Sequence, residues 1–240
     1  MSKIFIHIGA RKGSVSVKNK NIKMIAGKPL ILWAINQAKK IKGVSKIIVN
    51  TDSLDILNLA KKEKVDLLLK RPKNISNSKS SKFLAWKFAL NYLKKKKLIN
   101  FEDIFVDLDC TCPLRKIKDI NLMIKKFNNY KDKKKKFDGI FTIIKAKKNP
   151  YFNLVEYNRR GYLELSKKNK VVINRRQDCP KVFEHVASIY IFKPSFLLKN
   201  DSLMSGRLFG HEVDEYTNLD IDSDFDFEIV EHFLKKKRYD

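Results

Sequence analysis

The fold follows from residues 3–41, which read KIFIHIGARKGSVSVKNKNIKMIAGKPLILWAINQAKKI. Apolar and polar residues alternate over 3–9, which predicts a strand, and residues 30–41 carry apolar side chains at helical spacing, which predicts a helix. The loop between them is basic and contains small residues, but it is neither a GxxxxGK[ST] P-loop nor a GxGxxG motif. Such a loop suits a phosphate group, and the alternative is a solvated basic turn.

The rest of the chain repeats the alternation of strand and helix. The further predicted strands are 46–51, 65–69, 103–109, 138–146 and 187–193, and the further predicted helices are 54–64, 82–95, about 117–128 and about 223–237. This pattern predicts an α/β fold with a mainly parallel sheet and helices on both faces. Residues 153–168 instead predict a hairpin with its turn at 158–161. We therefore expect one domain over 1–240, with an excursion from the sheet at about 147–183.

Composition limits the class of protein. The 240 residues are 43% hydrophobic, which is typical of a globular chain long enough for a real core. No apolar run approaches the roughly 18 residues of a membrane span, and the first residues do not resemble a signal peptide. Three cysteines are too few for a disulfide framework or a zinc site. We therefore expect a cytoplasmic protein that does not act on a membrane.

The chain is strongly basic, with 52 Lys+Arg against 26 Asp+Glu and a formal net charge of +26. A charge of this size suits nucleic acid or another anionic surface. However, the lysines form short runs without the interleaved aromatic residues that single-strand binders use. The distribution favours solvated lysines on ordinary surfaces, so we expect no nucleic-acid partner, although the charge would attract a polyanionic substrate.

Informative segments follow four of the predicted strands. They are residues 11–21, 51–53, 71–72 and 109–115. In an open α/β sheet, ligands bind outside the carboxyl ends of the strands, so these segments are expected to meet at one edge. The basic groups of 11–21 can supply cations to phosphates, and its small residues permit close approach of the backbone.

Eight segments, in order, resemble the acylneuraminate cytidylyltransferases, which are the CMP-nonulosonate synthetases. The segments are IGAR with KNKNIKMIAGKPL, IIVNTDS, LKRP, LDCTCPLR, NPYFNLVE, RRQDCPKVF, ASIYIF and NLDIDSDFDFEIVE. The resemblance implies a Rossmann-like nucleotidyltransferase three-layer fold, a dimerisation excursion and a homodimer. It also implies transfer of CMP from CTP to the anomeric hydroxyl of a nonulosonic, sialic acid-like sugar acid. Pyrophosphate would be released, Mg²⁺ would be the cofactor, and the product would serve surface glycans such as capsule or lipopolysaccharide.

The resemblance also implies roles for particular residues, with Arg11, Lys20 and Asp222 as the catalytic set. By position it assigns Arg11 and Lys20 to the phosphates, Asn21 to the base, Arg71 to the cytosine side, Arg176 and Tyr190 to the sugar acid, and Asp220 and Asp222 to the metal. Asn153 in NPYFN is a further candidate for substrate contact, and its alternative is a turn-and-packing role. The alternative for Arg71 is a surface residue that ends a strand.

The chain departs from the family's usual pattern at several positions. Val15 and Ser16 stand where the loop usually has lysine and glycine, and Asp109 stands where glutamine is common. These departures leave a second function class open, which is a non-catalytic or altered-specificity relative that binds nucleotide or sugar.

The acidic run 220–226 stands out in such a basic chain. Mg²⁺ prefers one or two carboxylates together with phosphate oxygens and water. Acidic residues also favour the N-terminus of a helix, and Ser223 can cap one. We expect both roles, with Asp220 and Asp222 on the metal and the later acids at the final helix.

Asp109 ends the predicted strand 103–109, and alternation places Asp107 and Asp109 on the same face of that strand. We expect Asp109 to join Asp222, and with it Asp220, around Mg²⁺. The alternative is that Asp109 accepts a hydrogen bond from the sugar hydroxyls in place of the usual glutamine.

Overall fold

The protein is described by a computed structural model that covers residues 2–13, 17–133, 136–169 and 173–236. Within these residues the strands β1 to β11 are Ile4–Gly9, Met24–Ile25, Lys28–Pro29, Val44–Thr51, Leu67–Lys70, Ile104–Leu108, Gly139–Lys145, Val155–Tyr157, Leu163–Leu165, Phe183–Phe192 and Leu208–Glu212. The helices α1 to α6 are Leu30–Lys39, Leu54–Lys62, Lys82–Lys95, Ile117–Asp132, Pro194–Lys199 and Asp224–Lys236.

Seven of these strands form the central sheet, in the order β11-β7-β10-β6-β1-β4-β5. The pairs β1–β4, β1–β6, β4–β5 and β7–β11 are parallel, whereas β10 is antiparallel to both β6 and β7. Within the described part of the chain, β10 is therefore the only strand of this sheet that runs against the others. The prediction of a mainly parallel sheet is confirmed.

Helices cover both faces of the sheet, as the alternation predicted. On one face, α1, α2 and α4 pack against Ile4, Ile6 and Ile8 of β1. On the other face, α3 and α5 pack against Phe5 of β1 and aromatic residues of β10. The period-two pattern of β1 thus supplies apolar side chains to both layers of the core. His7 is the polar member of the face that α3 covers, and it is buried.

The predicted elements are confirmed with small changes at their ends, and four short elements were missed: β2, β3, α5 and β11. β10 begins at Phe183 rather than at 187, and α4 continues to Asp132. The edge strand β11 and the short helix α5 were not predicted. Residues 208–212 read LFGHE, whose glycine and polar residues carry little strand signal, so pairing with β7 determines this strand.

The hairpin prediction is confirmed by β8 and β9, which pair outside the central sheet. Asn158 closes the turn, since its Oδ1 accepts hydrogen bonds from the backbone N–H groups of Arg160 and Tyr162 at 3.0 and 3.1 Å. Gly161 adopts a φ of 78°, which a residue without Cβ tolerates. None of the described helices is both long enough and apolar enough to span a bilayer.

Candidate functional site

A cleft of about 380 Å³ lies at the carboxyl edge of the sheet, beside the ends of β1, β5 and β6. Seven of the residues predicted for the site line it: Arg11, Lys20, Asn21, Arg71, Asp109, Asp220 and Asp222. The loops that follow separate strands therefore converge, as the sheet topology predicted.

The described part of the opening loop is held to its neighbours by backbone groups. The N–H of Lys12 donates to Asp52 Oδ1 at 2.7 Å, and Asn21 Nδ2 donates to the carbonyl of Arg11 at 2.9 Å. A guanidinium nitrogen of Arg11 donates to the carbonyl of Asn77 at 3.1 Å. Asn21 thus supports the loop in addition to lining the cleft.

The departures from the family's loop pattern at Val15 and Ser16 lie outside the described residues.

Arg71 brings a largely desolvated cation to the cleft. It follows β5, is 9% exposed, and its Nε has no hydrogen-bond partner among the described residues. Burial lowers the pKa of Arg71, and the nearby carboxylate of Asp52 opposes that shift. Because an arginine guanidinium stays protonated in proteins, Arg71 presents a charged, unpaired donor to a ligand.

The segment before α6 supplies the acidic side of the cleft. Lys20 Nζ donates to the carbonyl of Ile221 at 2.5 Å and lies 3.4 Å from Asp222 Oδ1. The buried Oδ1 of Asp220 has no hydrogen-bond partner among the described residues. Burial raises the pKa of Asp220, and the neighbouring charges of Asp109 and Asp222 raise it further. A cation brought to this point would relieve that repulsion.

The capping role predicted at the end of this acidic run is confirmed. Ser223 Oγ accepts the N–H of Asp226 at 3.2 Å, and Asp226 Oδ2 accepts the N–H of Ser223 at 2.7 Å. This reciprocal pair begins α6 in the manner of a capping box. It leaves Asp220 and Asp222, which precede the cap, available to the cleft.

Across the described residues, no three His, Cys, Asp or Glu side chains gather closely enough to form a ready metal centre. Asp220 offers an unpartnered oxygen and Asp222 is mostly exposed. Two carboxylates match the protein share of a Mg²⁺ site in which phosphates and water supply the remaining ligands. The donor set therefore fits a magnesium–nucleotide complex better than a metal held by protein alone.

Sequence reasoning missed a charged network on the other wall of the cleft. Lys82, the first residue of α3, forms an ion pair with Asp109 Oδ2, and its Nζ lies 3.4 Å from Asp107 Oδ2. Both acids therefore lie on one face of the strand, as alternation predicted. Burial disfavours the charge on Lys82, but Asp109 and Asp107 raise its pKa well above the usual value.

His7 supports the network from within the core. Asn50 Nδ2 donates to the carbonyl of Ala85 at 2.9 Å and lies 3.0 Å from His7 Nε2, which must then accept. The Nδ1 of His7 consequently carries the proton that it donates to Asp107 Oδ1 at 2.6 Å. The position of His7 in a strand gave no signal of this role, because its partner Asp107 is distant in sequence.

Three predicted substrate residues do not line the cleft in this chain. Arg176 is exposed in the excursion and donates to the carbonyl of Lys147 at 2.8 Å. Asn153 accepts the N–H of Asn149 at 2.7 Å, a local bond of the kind that its turn-and-packing alternative describes. Tyr190 is buried in the core, where its ring centroid lies 4.7 Å from Lys82 Nζ.

The site thus combines the cations of Arg11, Lys20 and Arg71 with the two carboxylates before α6. The ion pairs of Lys82 with Asp107 and Asp109 form a further wall. Preorganised cations of this kind stabilise negative charge that develops on phosphate oxygens. The two cysteines nearby are not candidate nucleophiles, because burial raises the pKa of Cys110 to about 12 and that of Cys112 well above its usual value.

Comparisons of sequence place this chain among known proteins. A sequence model described as "Cytidylyltransferase" matches residues 5–233. The chain is 37% identical over 238 residues to the post-translational flagellin modification protein B of Campylobacter coli, covering 99% of this chain and 97% of that protein. It is 35% identical over 237 residues to the CMP-N,N'-diacetyllegionaminic acid synthase of Campylobacter jejuni, with the same coverage.

Solved structures agree on the fold. The CMP:2-keto-3-deoxy-manno-octonic acid synthetase complexed with CTP matches with a TM-score of 0.69 at 19% identity, over 98% of this chain and 100% of that one. A 4-diphosphocytidyl-2C-methyl-D-erythritol synthase matches with the same TM-score at 11% identity. The expected Rossmann-like nucleotidyltransferase fold is confirmed. With a family match over nearly its whole length and two relatives above 30% identity, the chain belongs to the cytidylyltransferase family, in the branch of the CMP-nonulosonate enzymes.

Proposed function

We propose that this protein transfers CMP from CTP to the anomeric hydroxyl of a nonulosonic sugar acid and releases pyrophosphate. The observation that carries the proposal is the cleft, in which Arg11, Lys20 and Arg71 face Asp220 and Asp222 in a chain of the cytidylyltransferase family. The name of the Campylobacter jejuni relative, a CMP-N,N'-diacetyllegionaminic acid synthase, supports a nonulosonic acid as the acceptor.

The geometry suggests how the cleft performs the transfer. The oxygen of the sugar hydroxyl forms the new bond to the α-phosphorus of CTP and gives up its proton to water. The bond between the α-phosphorus and the oxygen that bridges to the β-phosphate breaks, and that oxygen leaves with the pyrophosphate. Negative charge develops on the pyrophosphate that leaves, and Arg11 and Lys20 are placed to neutralise it. Lys20 is oriented by the carbonyl of Ile221, so its ammonium is already directed before substrate binds. Arg71 and Asn21 lie on the side proposed for the nucleotide base.

Magnesium belongs to the proposal as cofactor. Asp220 and Asp222 would hold it, because one offers an unpartnered buried oxygen and the other an exposed carboxylate beside Lys20. When bound with the nucleotide, Mg²⁺ would neutralise phosphate charge at the α-phosphate.

Pyrophosphate release from each of the four nucleoside triphosphates, with a panel of eight- and nine-carbon 2-keto sugar acids, tests the proposal. We expect release only with CTP and only with nonulosonic acids. Tight CTP binding without pyrophosphate release from any sugar would instead support the non-catalytic relative. The panel also identifies the sugar, which Val15, Ser16 and Asp109 leave open.

The excursion supports a homodimer. In the register of β8 with β9, Val155 lies opposite Leu165 and Tyr157 opposite Leu163, so the four apolar side chains share one face. Tyr157 and Leu163 are 76% and 60% exposed. A two-stranded sheet is marginally stable alone, and an exposed apolar face of this kind is typical of a surface that packs against a partner. We propose that the partner is a second copy of the chain.

We place the reaction in the cytoplasm, where CTP is made, and the three cysteines are free thiols as that compartment requires. The CMP-activated sugar would serve surface glycans. The name of the Campylobacter coli relative concerns the post-translational modification of flagellin, which is a protein of the cell surface.

A further inference from the structure

Among the described cations of the cleft, only Lys82 contacts both Asp107, which lies in β6, and Asp109, which follows that strand. Its Nζ pairs with Asp109 Oδ2 and lies 3.4 Å from Asp107 Oδ2. The ring of Tyr190 lies below the ammonium, with its centroid 4.7 Å away. The contacts of Lys82 among the described residues are with β6, with the residue that follows it and with aromatic rings of the core, not with the opening loop or the acidic run.

The network is anchored in the core. Asp107 is 1% exposed, and a carboxylate this buried needs a charge partner as well as hydrogen bonds. His7 supplies one hydrogen bond at 2.6 Å, and Lys82 supplies the positive charge. Asp107 therefore holds the ammonium group of Lys82 in position, and Lys82 in turn holds the carboxylate of Asp109 at the cleft.

The contacts of Asp109 decide what its carboxylate can do. Its Oδ2 is engaged by Lys82, and its Oδ1 accepts the hydroxyl of Thr111 at 3.2 Å. A carboxylate with a lysine on one oxygen and a hydroxyl on the other keeps lone pairs for a further hydrogen bond, because each oxygen can accept two. Lys82 pairs directly with the largely buried Asp109, whereas Lys20 lies 3.4 Å from the mostly exposed Asp222, so Asp109 is less free than Asp222 to bind a divalent cation.

We infer that Lys82 is a positioning residue for the sugar acid: it holds Asp109 as a hydrogen-bond acceptor for a substrate hydroxyl and keeps Asp109 out of the magnesium ligand set. This inference rests on the proposed function and deepens it. Of the two roles open for Asp109 from the sequence, it selects sugar binding over metal binding. It also explains why an acid can replace glutamine here, since Lys82 compensates the added charge.

The test uses the full-length protein and three variants. Lys82→Met removes the charge at similar length, Asp109→Asn removes the acceptor charge, and Lys87→Met is the matched control. Lys87 lies on the same helix and pairs with Asp201 at 2.6 Å, outside the cleft lining. Two quantities are measured: the separate KM values for sugar acid and CTP, and Mn²⁺ affinity of the CTP complex by electron paramagnetic resonance.

We expect Lys82→Met and Asp109→Asn each to raise the KM for the sugar acid about tenfold or more, as for a lost hydrogen bond to a charged group. The KM for CTP should stay within about twofold, and Lys87→Met should match the wild type. Mn²⁺ affinity should be unchanged in Asp109→Asn. In Lys82→Met it should increase, because the freed Asp109 carboxylate can then reach the ion. A structural defect would not tighten metal binding.

Weaker Mn²⁺ binding by about fivefold or more in Asp109→Asn would overturn the inference and make Asp109 a metal ligand. A rise in the KM for CTP alone in either variant would overturn it as well. If Lys82→Met does not fold, Asp109→Asn carries both measurements, since Asp109 is not needed to neutralise buried Asp107. Wild-type protein that turns over no sugar acid contradicts the proposed function instead, and the Mn²⁺ measurement with CTP still tests Asp109.

Discussion

At the scale of single residues, the cleft contains charged side chains with buried atoms that are shielded from water and form no hydrogen bond with the other described residues. Arg71 is 9% exposed and keeps an unpartnered Nε, and Asp220 keeps an unpartnered oxygen. These buried polar atoms lower the stability of the protein without ligand, because they have lost hydrogen bonds to water and no described protein group replaces them. A ligand that supplies opposite charge at both points recovers that lost stability on binding.

Arg11→Ala should reduce kcat/KM by about two to three orders of magnitude, as for other donors that stabilise developing charge on a reacting group. The described contact of its guanidinium is one hydrogen bond to the carbonyl of Asn77, so the fold should survive. Steady-state kinetics with CTP, together with a thermal melt, checks both parts. Lys199→Ala, at an exposed lysine outside the cleft lining, serves as the control. Unchanged turnover in Arg11→Ala would contradict the assignment.

Asp138→Asn should lower the melting temperature at pH 7, and the difference from wild type should shrink as the pH falls below the unfolded pKa of about 3.9. Burial raises the pKa of Asp138, but the hydrogen bonds from Arg207 outweigh it and the net pKa is lowered. A lowered carboxyl pKa stabilises the fold above the unfolded value of about 3.9, and that stability is lost as pH falls through the folded value. Thermal melts from pH 7 to pH 3 measure the effect. A difference that does not shrink between pH 7 and pH 3 would show that charge is not its cause.

Some residues of the site could be predicted from their position in the sequence, and others depend on partners that are distant in the sequence. Arg11, Lys20 and Arg71 could be predicted because each follows a strand whose carboxyl end lies at the ligand edge. Lys82 and His7 could not, since each acquires its role from a partner 27 or 100 residues away. Only the packing of α3 on β1 and β6 brings these groups together.

At the scale of elements, the hairpin β8–β9 differs from the rest of the chain in what its two faces carry. Val155, Tyr157, Leu163 and Leu165 share one face, while Glu156 lies opposite Glu164 on the other. Like charges directly opposite each other destabilise a strand pair. Pairing of the two strands therefore contributes little to the stability of the hairpin. Packing of its apolar face against a partner would contribute more.

Replacing Tyr157 and Leu163 together with serine should convert the proposed dimer into a monomer. The reason is that the change removes two of the most exposed apolar side chains of that face. Size-exclusion chromatography with light scattering gives the mass directly. Glu156→Ser, on the opposite face, is the control and should remain dimeric. A double variant that keeps the dimer mass would move the interface to another surface.

Elements with strong periodicity were predicted closely, and elements defined by pairing were not. Helix α3 was predicted at its observed bounds, because its apolar residues recur at helical spacing over fourteen positions. Strand β11 was missed because its five residues form a strand only through the register with β7. Antiparallel β10 was predicted as a strand, but its direction follows from the route of the chain, which sequence periodicity does not encode.

At the scale of the whole molecule, the net charge of +26 is spread over many surfaces rather than collected in the cleft. Of the described ion pairs, most join lysines to acids on exposed positions, such as Lys46 with Asp66 and Lys87 with Asp201. Exposed pairs of this kind contribute little stability. The excess charge acts mainly at long range, where it raises the local concentration of anions.

Duplex DNA should bind this protein weakly at about 20 mM salt and lose that binding by about 200 mM, without preference between sequences. The physical reason is that scattered lysines release counterions from the phosphates, and this contribution is independent of sequence. Fluorescence anisotropy with two unrelated duplexes of equal length measures both properties. Binding that survives the higher salt and prefers one duplex would show a nucleic-acid function that the solvated-lysine interpretation excludes.

The contact between Lys20 and Ile221 has a consequence for the order in which the molecule is built. The two residues are separated by 201 positions, and Ala26 reaches Glu231 across 205. A chain leaving the ribosome from its N-terminus exposes the basic loop long before the acidic segment exists. Most of the sheet can pair earlier in synthesis, whereas the cleft acquires its acidic wall only after residues 220–222 have emerged. Competence to bind the proposed metal–nucleotide complex is therefore acquired late in synthesis, after the segment before α6 has been translated.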